Sequence, residues 1–213
     1  MAASTGRWLT YLRAGDVLYP THIESLLALG DSDTSVVCAS LNEAVCWYNG
    51  GQDVALVRST PFKGRLDLNL LKAEPVFRAP AFAHERSCID AVSVFDPAYG
   101  MLTDWDFLLR LTDQYATALT ETISAERRLC VGICPGGDTS LIELLEGEAA
   151  AFQMIYSRHD VADSSLQRLR RQALLDLNQK TADLKWIAAQ DWDRLKKAKQ
   201  MASVWLGLES SVP

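Results

Sequence analysis

The hydrophobic pattern of this chain changes at Pro135-Gly136-Gly137, and that change most constrains what the sequence can fold into. Before it, short apolar runs typical of strands alternate with helix-like segments, which indicates an α/β arrangement. From Thr139 onward, apolar residues recur near the helical period. We therefore predict an α/β domain over residues 1–135 and a helical C-terminal extension over residues 136–213.

Several runs in the first part suit the strands of a sheet. Trp8 to Leu12 is apolar and rich in β-formers, as expected for a buried strand. Asn49-Gly50-Gly51 is a turn or hairpin signal. Phe77 to Phe82 contains Pro80, which lacks a backbone N–H, so we predict at most an edge strand there. The remaining predicted elements are strands at 35–39, 53–58, 116–123 and 128–133, the last two paired, and helices after Pro20 and at 66–71, 85–92 and 104–115.

A long helix is predicted at the end of the chain. Asp163 and Ser164 are favourable caps for its start, and the helical pattern runs on towards Leu206. The segment carries basic and acidic residues along its length, which is typical of a solvated amphipathic helix. We expect this helix to pack on the α/β domain or on another chain.

The composition of the chain bounds its partners. Its 213 residues suffice for one substantial domain with an appendage, and its formal net charge is −6. An acidic protein lacks the basic surface that binding to phosphate backbones requires, so nucleic acid is not an expected partner. No apolar run reaches the ~18 residues of a membrane span, and the N-terminus lacks the apolar core of a signal peptide.

The cysteines and histidines indicate a compartment and bear on metal binding. The five cysteines are an odd number without close pairing, which favours reduced thiols and a cytoplasmic protein. Cys130 and Cys134 are separated by three residues, not by the two residues of common zinc and redox motifs. Because the chain has only three histidines, we expect no structural zinc site.

The segment Thr103-Asp104-Trp105-Asp106 combines two carboxylates with the start of an apolar, arginine-containing helix. Backbone N–H groups and the helix dipole favour anions at such a position. A carboxylate fixed there serves as a base, as a cation ligand or, more commonly, as a helix cap. The segment by itself leaves these three roles open.

Three segments occur in an order and at a spacing that resemble a known family. Ala3 to Glu24 combines a strand, a position similar to an Asp-x-Asp motif that ends at Asp16, and a helix initiated by proline. Ala79 to Asp90 combines a strand with the helix after it, and Thr103 to Asp106 is similar to a Glu-Asp-Trp-Asp motif. Together with the helical segment 152–159, they resemble the later part, from the metal motif onward, of bacterial family-2 glycosyltransferases of the GT-A fold.

The resemblance implies a fold and a reaction. The fold would be a partial GT-A sheet without the N-terminal donor-binding strands, followed by the helical extension. The reaction would be inverting transfer of a sugar from a nucleotide-sugar donor to a saccharide or lipid-linked acceptor, in the synthesis of surface polysaccharide. The protein would be cytoplasmic, either free or peripheral to the inner membrane. The alternative is a degenerate GT-A-like module that binds a partner protein or a saccharide without catalysis.

The resemblance also assigns roles to individual residues. Asp104 would be the base that deprotonates the acceptor hydroxyl. Asp16 would be the remaining ligand of a Mg²⁺ or Mn²⁺ ion, because Arg13 and Gly15 stand where the family has two acidic residues. A single carboxylate is a poor cage for a divalent cation, and a cap on the following helix is the alternative role for Asp16. Thr103 replaces the glutamate of the family motif.

Four further residues are candidates for binding substrate. Arg13 would offset diphosphate charge in place of a metal, with an ordinary surface arginine as the alternative. His84 and Arg86 would contact acceptor or phosphate, with a structural role as the alternative for the histidine. Asp106 is the last candidate, and its alternative is a first-turn carboxylate that favours the helix dipole. The segment 136–140 is expected to be the loop after the last strand.

A sheet without its first strands has a physical consequence for assembly. Its outer strand would leave an unpaired edge of backbone N–H and C=O groups. We therefore expect a homo-oligomer, or a complex with another protein, through the sheet edge or the C-terminal helix.

Overall fold

The computed structural model describes residues 4–31, 33–49, 52–60, 67–132, 141–191 and 193–208. These residues form a mixed α/β structure with a helical C-terminal part, which confirms the predicted fold class at that level. No described helix has the length and the apolar character that crossing a membrane would require. The loop predicted at 136–140 lies outside the described residues.

The elements are numbered in chain order. The strands are β1 Trp8–Thr10, β2 Val17–Leu18, β3 Val36–Asn49, β4 Gln52–Ser59, β5 Phe82–Glu85 and β6 Thr117–Gly132. The helices are α1 His22–Leu27, α2 Leu68–Leu71, α3 Cys88–Val92, α4 Thr103–Thr112, α5 Leu141–Arg158, α6 Ser164–Ala189 and α7 Arg194–Trp205. A 3₁₀ segment, Pro97–Leu102, leads directly into α4.

The described strands form one sheet in the order β1-β5-β3-β6-β2, with β4 also paired to β3. The two long strands β3 and β6 run parallel, from the pair Val36 and Thr117 to the pair Tyr48 and Gly132. The other edge of β3 is shared, since β5 pairs with its first residues and β4 with its second half. Among the described strands, β1 has β5 as its single neighbour and therefore forms an edge of the sheet.

The hairpin prediction at Asn49-Gly50-Gly51 is confirmed by the antiparallel pairing of β3 with β4, which ends at Asn49 and Gln52. The two predicted strands between 116 and 133 are wrong, because β6 is one continuous strand. The gap left between the two predicted strands, residues 124–127, includes Glu126 and Arg127. They remain in the sheet because Arg127 lies beside Glu43 of β3 and pairs with it at 2.7 Å, while Glu126 pairs with Arg128 at 2.6 Å.

The edge strand predicted at Phe77–Phe82 is also wrong. The strand in this region begins at Phe82 and lies between β1 and β3, so it is internal to the sheet. Pro80 precedes the strand, follows Ala79 in cis, and does not interrupt the hydrogen-bond ladder. The helix predicted from Glu85 is shorter than expected and begins at Cys88.

The long final helix is divided into two. Asp163 caps α6 as predicted, since its side chain accepts hydrogen bonds from the backbone N–H groups of Ser165 and Leu166 at 2.8 Å. Helix α6 ends at Ala189, and Asp193 then caps α7 by accepting from the N–H of Lys196 at 3.0 Å. An aspartate at this position starts a new helix because it satisfies a backbone donor that the preceding turn cannot.

The helical part packs on the sheet part through one large core. Trp105 of α4 contacts Phe152 of α5, with ring centroids 4.7 Å apart, and its indole N–H donates to the carbonyl of Leu71 at 2.7 Å. The guanidinium of Arg170 on α6 donates to the carbonyl of Lys72 at 2.8 Å, beside α2. The predicted boundary between residues 135 and 136 falls among residues the structure does not describe, and it stays a prediction.

Candidate active site

The ends of β1 and β5 bring together segments that are far apart in sequence. These two strands are antiparallel, with Thr10 opposite Ala83. The residues that follow β1 therefore lie beside the residues that precede β5. This arrangement places Tyr11, Leu12 and Arg13 next to Ala79, at the edge of the sheet where α4 begins.

Asp104 enters this region from the first turn of α4. The preceding 3₁₀ segment is capped by Asp96, whose side chain accepts from the N–H of Ala98 at 3.0 Å. It includes Gly100, whose φ of 53° lies in the left-handed region that glycine adopts without strain. The carboxylate of Asp104 does not cap the helix. Instead it accepts a hydrogen bond from the backbone N–H of Ala79 at 2.9 Å.

Arg78 is the main partner of Asp104, and sequence reasoning missed it. Its Nε lies 3.0 Å from each carboxylate oxygen, and its hydrogen bond is made to Oδ2. The side chain is buried and also donates to the carbonyl of Met101. Hydrogen bonds from a buried guanidinium fix the orientation of the adjacent carboxylate. Nothing in the sequence around Arg78 signals this role, since its segment resembles an ordinary edge strand.

A pocket of about 370 Å³ opens beside this pair. We call it the Asp104 pocket, and its lining residues are Tyr11, Leu12, Arg13, Ala79, Phe95, Gly100, Met101, Thr103 and Asp104. Two of the candidate site residues, Arg13 and Asp104, thus face one space despite their separation in the chain.

Two polar atoms of the pocket's lining residues are buried and unsatisfied. Neither Oγ of Thr103 nor Oδ1 of Asp104 has a hydrogen-bond partner within the described part of the chain. Buried polar atoms in native proteins are normally paired, so each such atom calls for a partner. A hydroxyl group fits both, because it accepts from the threonine hydroxyl and donates to the carboxylate oxygen.

The carboxylate of Asp16 is fully occupied by protein groups. Arg13 binds both of its oxygens, with Nε 3.0 Å from Oδ2 and Nη2 3.2 Å from Oδ1. The backbone N–H of Arg128 donates to Oδ1 at 2.9 Å, and the aspartate side chain is 0% exposed. This geometry depends on a turn in which Gly15 has a φ of 93°, a value that favours glycine over the acidic residue expected by resemblance.

The residues at this position do not fit a divalent cation as they are arranged. Mg²⁺ and Mn²⁺ require several oxygen ligands, and both oxygens of Asp16 are bonded to a guanidinium that a metal would have to displace. Within the described ranges, no three His, Cys, Asp or Glu side chains cluster as a metal site needs. The alternative role of a helix cap is not seen either, because α1 begins after Thr21 without a side-chain cap.

His84 supports the pocket from behind and does not line it. Its Nδ1 lies 2.7 Å from the carbonyl of Glu85, and its Nε2 lies 2.7 Å from the hydroxyl of Tyr11. Burial lowers the pKa of the imidazole, and the hydrogen bond to Glu85 only partly opposes this shift. A neutral histidine that donates a hydrogen bond through Nδ1 accepts one from the Tyr11 hydroxyl through Nε2. This hydrogen bond fixes the tyrosine at the pocket wall.

Asp106 faces the helical extension instead of the pocket. Its Oδ2 accepts from Arg110 at 2.9 Å, and its Oδ1 lies 3.1 Å from Nε2 of His159. Burial alone would raise the pKa of this carboxyl, but the hydrogen bond from His159 and the charges of Arg110 and Arg158 outweigh it and lower the pKa. These contacts tie α4 to the end of α5.

Arg86 also lies away from the Asp104 pocket. Its backbone N–H donates to the carbonyl of Arg7 at 2.7 Å, which extends the pairing of β5 with β1. Its Nε donates to the carbonyl of Gly6 at 3.1 Å. Of the substrate-binding candidates, only Arg13 therefore lines the same space as Asp104.

Comparison with known proteins adds no family assignment. No protein-family model matches the sequence, and no curated protein matches it. The resemblance to family-2 glycosyltransferases therefore stays a prediction from the three sequence segments.

Proposed function

We propose that this protein is a glycosyltransferase-like protein with a partial GT-A fold, and that the Asp104 pocket holds the hydroxyl of a saccharide or lipid-linked acceptor. The reaction is inverting transfer from a nucleotide-sugar donor, in the synthesis of surface polysaccharide. One observation carries the proposal. Oγ of Thr103 and Oδ1 of Asp104 are both unsatisfied, on adjacent residues that line one pocket.

The contacts of Asp104 suit a general base. Its Oδ2 accepts hydrogen bonds from the N–H groups of Arg78 and Ala79. Its Oδ1 lies 3.0 Å from Nε of Arg78 but makes no hydrogen bond within the described part of the chain, and in this proposal it is the atom that accepts the proton. The acceptor hydroxyl transfers its proton to Oδ1 as its oxygen bonds to the anomeric carbon of the donor. The bond between that carbon and the nucleotide diphosphate breaks in the same step, and the diphosphate leaves with the bonding electron pair. Fixing both the base and the hydroxyl lowers the entropic cost of this step.

Arg13 supplies positive charge at the same pocket. Its side chain is 36% exposed, so the face of the guanidinium that does not contact Asp16 remains open to a ligand. A fixed cation stabilises the negative charge that develops on the departing diphosphate. In this proposal the arginine performs that role, and no step depends on a bound metal.

The test is a transfer and donor-hydrolysis assay on the native protein and on Asp104→Asn. The amide keeps the shape of the side chain but cannot act as a base, so the rate should fall by about 10²–10⁴. Asp113→Asn is the matched control, because Asp113 is an exposed aspartate at the end of the same helix. Equal rates for native protein and Asp104→Asn would contradict the proposal.

A second candidate function is binding of a saccharide or a partner protein without catalysis. It is favoured by the state of Asp16, whose two oxygens are bonded to Arg13 and to the N–H of Arg128. Titration with a nucleotide-sugar, with and without Mg²⁺ or Mn²⁺, separates the two candidates. Saccharide binding without donor binding supports the module, and donor binding with turnover supports the transferase.

The same proposal implies a cytoplasmic location, either free or at the periphery of the inner membrane where lipid-linked acceptors lie. It also implies self-association, since β1 leaves one edge of the sheet open to another strand. Sedimentation at micromolar concentration tests the second point. A single monomeric species would contradict assembly through this edge.

A further inference from the structure

A second, larger cavity lies between the sheet and the helical extension. Its volume is about 500 Å³, within the range of small-molecule sites. We call it the charged cavity. It is lined by side chains of β3, β6 and helices α5 to α7 and by Arg78, and the exposed Asp176 and Gln179 on α6 form part of its rim. Arg78 therefore contributes to this cavity while binding Asp104 of the other pocket.

The charged groups of this cavity are only partly paired with each other. Nη1 of Arg127 donates to Oε1 of Glu43 at 2.7 Å, and Arg78 is paired with Asp104. Lys180 makes one long hydrogen bond, 3.3 Å, to the carbonyl of Trp205. These contacts use part of the donors and acceptors that line the cavity. Two polar groups of the lining have no hydrogen bond within the described part of the chain.

The first of these groups is the second nitrogen of Arg127. Nη2 is buried and has no hydrogen-bond partner among the described residues. The whole side chain is only 8% exposed, so little water reaches it. A buried guanidinium N–H without an acceptor is costly, because it has lost its water and gained nothing in return. Since Arg127 lines the cavity, an acceptor placed in the cavity is the natural partner.

The second of these groups is Glu148, which lines the cavity and makes no hydrogen bond within the described part of the chain. It is partly buried and lies on the same face of α5 as the buried Leu145 and Phe152. Burial raises the pKa of its carboxyl, and the charges of Arg78 and Arg127 only partly oppose this shift. A ligand hydroxyl in the cavity gives this carboxyl a hydrogen-bond partner.

The balance of charge selects the class of ligand. The lining includes three cationic and five acidic side chains, Arg78, Arg127 and Lys180 against Glu43, Glu74, Glu148, Asp176 and Asp183. Two of the three cations already have carboxylate partners. A polyanion such as a nucleotide diphosphate would therefore meet an excess of negative charge, and an uncharged ligand avoids this penalty.

Hydroxyl groups suit both Nη2 of Arg127 and the carboxyl group of Glu148. A hydroxyl accepts a hydrogen bond from Nη2 of Arg127, and a neighbouring hydroxyl donates one to Glu148. Phe152 and Trp205 add apolar surface to the lining, against which the C–H face of a sugar ring packs. The cavity thus combines the polar and apolar groups that a ring with several hydroxyls requires.

We propose that the charged cavity binds an uncharged saccharide of one or two rings, at a site distinct from the Asp104 pocket. Arg127 and Glu148 recognise its hydroxyls. The choice of a saccharide over other polyols rests on the proposed function, whereas the site itself rests on the cavity and its unsatisfied groups.

The test is saturation-transfer NMR on the full chain with glucose, galactose, mannose and N-acetylglucosamine. At least one of these sugars should bind, and Glu148→Met should weaken that binding about tenfold or more, because it removes an acceptor for a ligand hydroxyl. Glu146→Met is the matched control. Glu146 is an exposed residue two positions earlier on α5, and its replacement should leave binding unchanged.

Two further variants show which of the two sites binds the sugar. Arg127→Lys retains a charge for Glu43 but removes the Nη2 donor, so it should weaken binding as Glu148→Met does. Thr103→Val removes a hydroxyl from the Asp104 pocket, so it reports on sugar bound there and not on sugar bound in the charged cavity. Loss of binding in Thr103→Val but not in Glu148→Met would place the sugar in the Asp104 pocket and overturn the inference, while the proposed function would stand. Absence of binding by all four sugars, or preferential binding of inorganic phosphate or glycine, would overturn it as well.

Discussion

The Asp104 pocket and the charged cavity share Arg78 but treat their carboxylates differently. Arg78 and the backbone N–H of Ala79 orient the carboxylate of Asp104 through hydrogen bonds to Oδ2. Glu148 receives no such hydrogen bond in the described part of the chain, and burial raises its pKa. The two carboxylates therefore differ in how many protein donors orient them.

Arg78 links the two regions, and its removal should have the largest effect on stability. Arg78→Met leaves the buried carboxylate of Asp104 without its cation, so we expect a loss of about 3–5 kcal/mol in the free energy of unfolding. Urea denaturation at neutral pH measures it. The double variant Arg78→Met/Asp104→Leu should recover much of that loss, because it removes the uncompensated charge.

Arg86→Met is the control for this prediction. Arg86 makes one side-chain hydrogen bond, to the carbonyl of Gly6, so its replacement should cost no more than about 1.5 kcal/mol. If Arg78→Met lost no more free energy of unfolding than Arg86→Met, Arg78 would contribute little to stability. That result would contradict its role as the link between the Asp104 pocket and the charged cavity.

The raised pKa of Glu148 predicts a dependence of stability on pH. The folded state binds this proton more tightly than the unfolded state, so stability falls as pH rises from the ordinary glutamate value of 4.5 through the raised value. Glu148→Gln cannot ionise and avoids this fall. From pH 4 to pH 8 its stability relative to the native protein should therefore increase, by on the order of 1 kcal/mol.

Glu146→Gln serves as the matched control for the pH series. Glu146 is half-exposed and pairs with Lys185 at 2.7 Å on the surface, so its stability difference from the native protein should change little with pH. If the free energies of unfolding of Glu148→Gln and the native protein changed in parallel with pH, Glu148 would ionise as readily in the folded protein as in the unfolded chain. That result would contradict the prediction.

A smaller effect on stability than that of Arg78→Met is expected at Arg13. The arginine is partly exposed but its partner Asp16 is buried, so Arg13→Ala should cost about 1–3 kcal/mol in the free energy of unfolding. It should nevertheless reduce transfer more than Arg7→Ala, which removes an exposed ion pair with Glu85 outside the pocket. Equal rates for the two variants would remove Arg13 from the site.

The sequence predicted the general architecture and part of the site, for identifiable reasons. Strand-like runs followed by helical periodicity indicated the α/β part and the helical extension. The family-like segments indicated Arg13 and Asp104 as separate candidates, and both line one pocket in the structure. Local sequence patterns sufficed for these features because the hydrophobic periodicity of each segment is readable without its distant contacts.

Other features depend on contacts between distant segments, which local patterns do not encode. Arg78 reaches Asp104 across 26 positions of sequence, and Arg127 meets Glu43 through the register of β3 and β6. The occupation of Asp16 depends on how Arg13 folds back over a glycine turn. Glu148 did leave a signal, since it interrupts an apolar helical face, but its cavity exists only after three helices pack on the sheet.

The central claim is that Thr103 and Asp104 bind one acceptor hydroxyl together. A double-mutant cycle on kcat/KM for sugar transfer, with Thr103→Val, Asp104→Asn and the double variant, tests it most directly. If both residues contact the same hydroxyl, the double variant should be little worse than Asp104→Asn alone, with a coupling energy of about 1 kcal/mol or more. Additive losses, or a native protein without any transfer, would contradict the account.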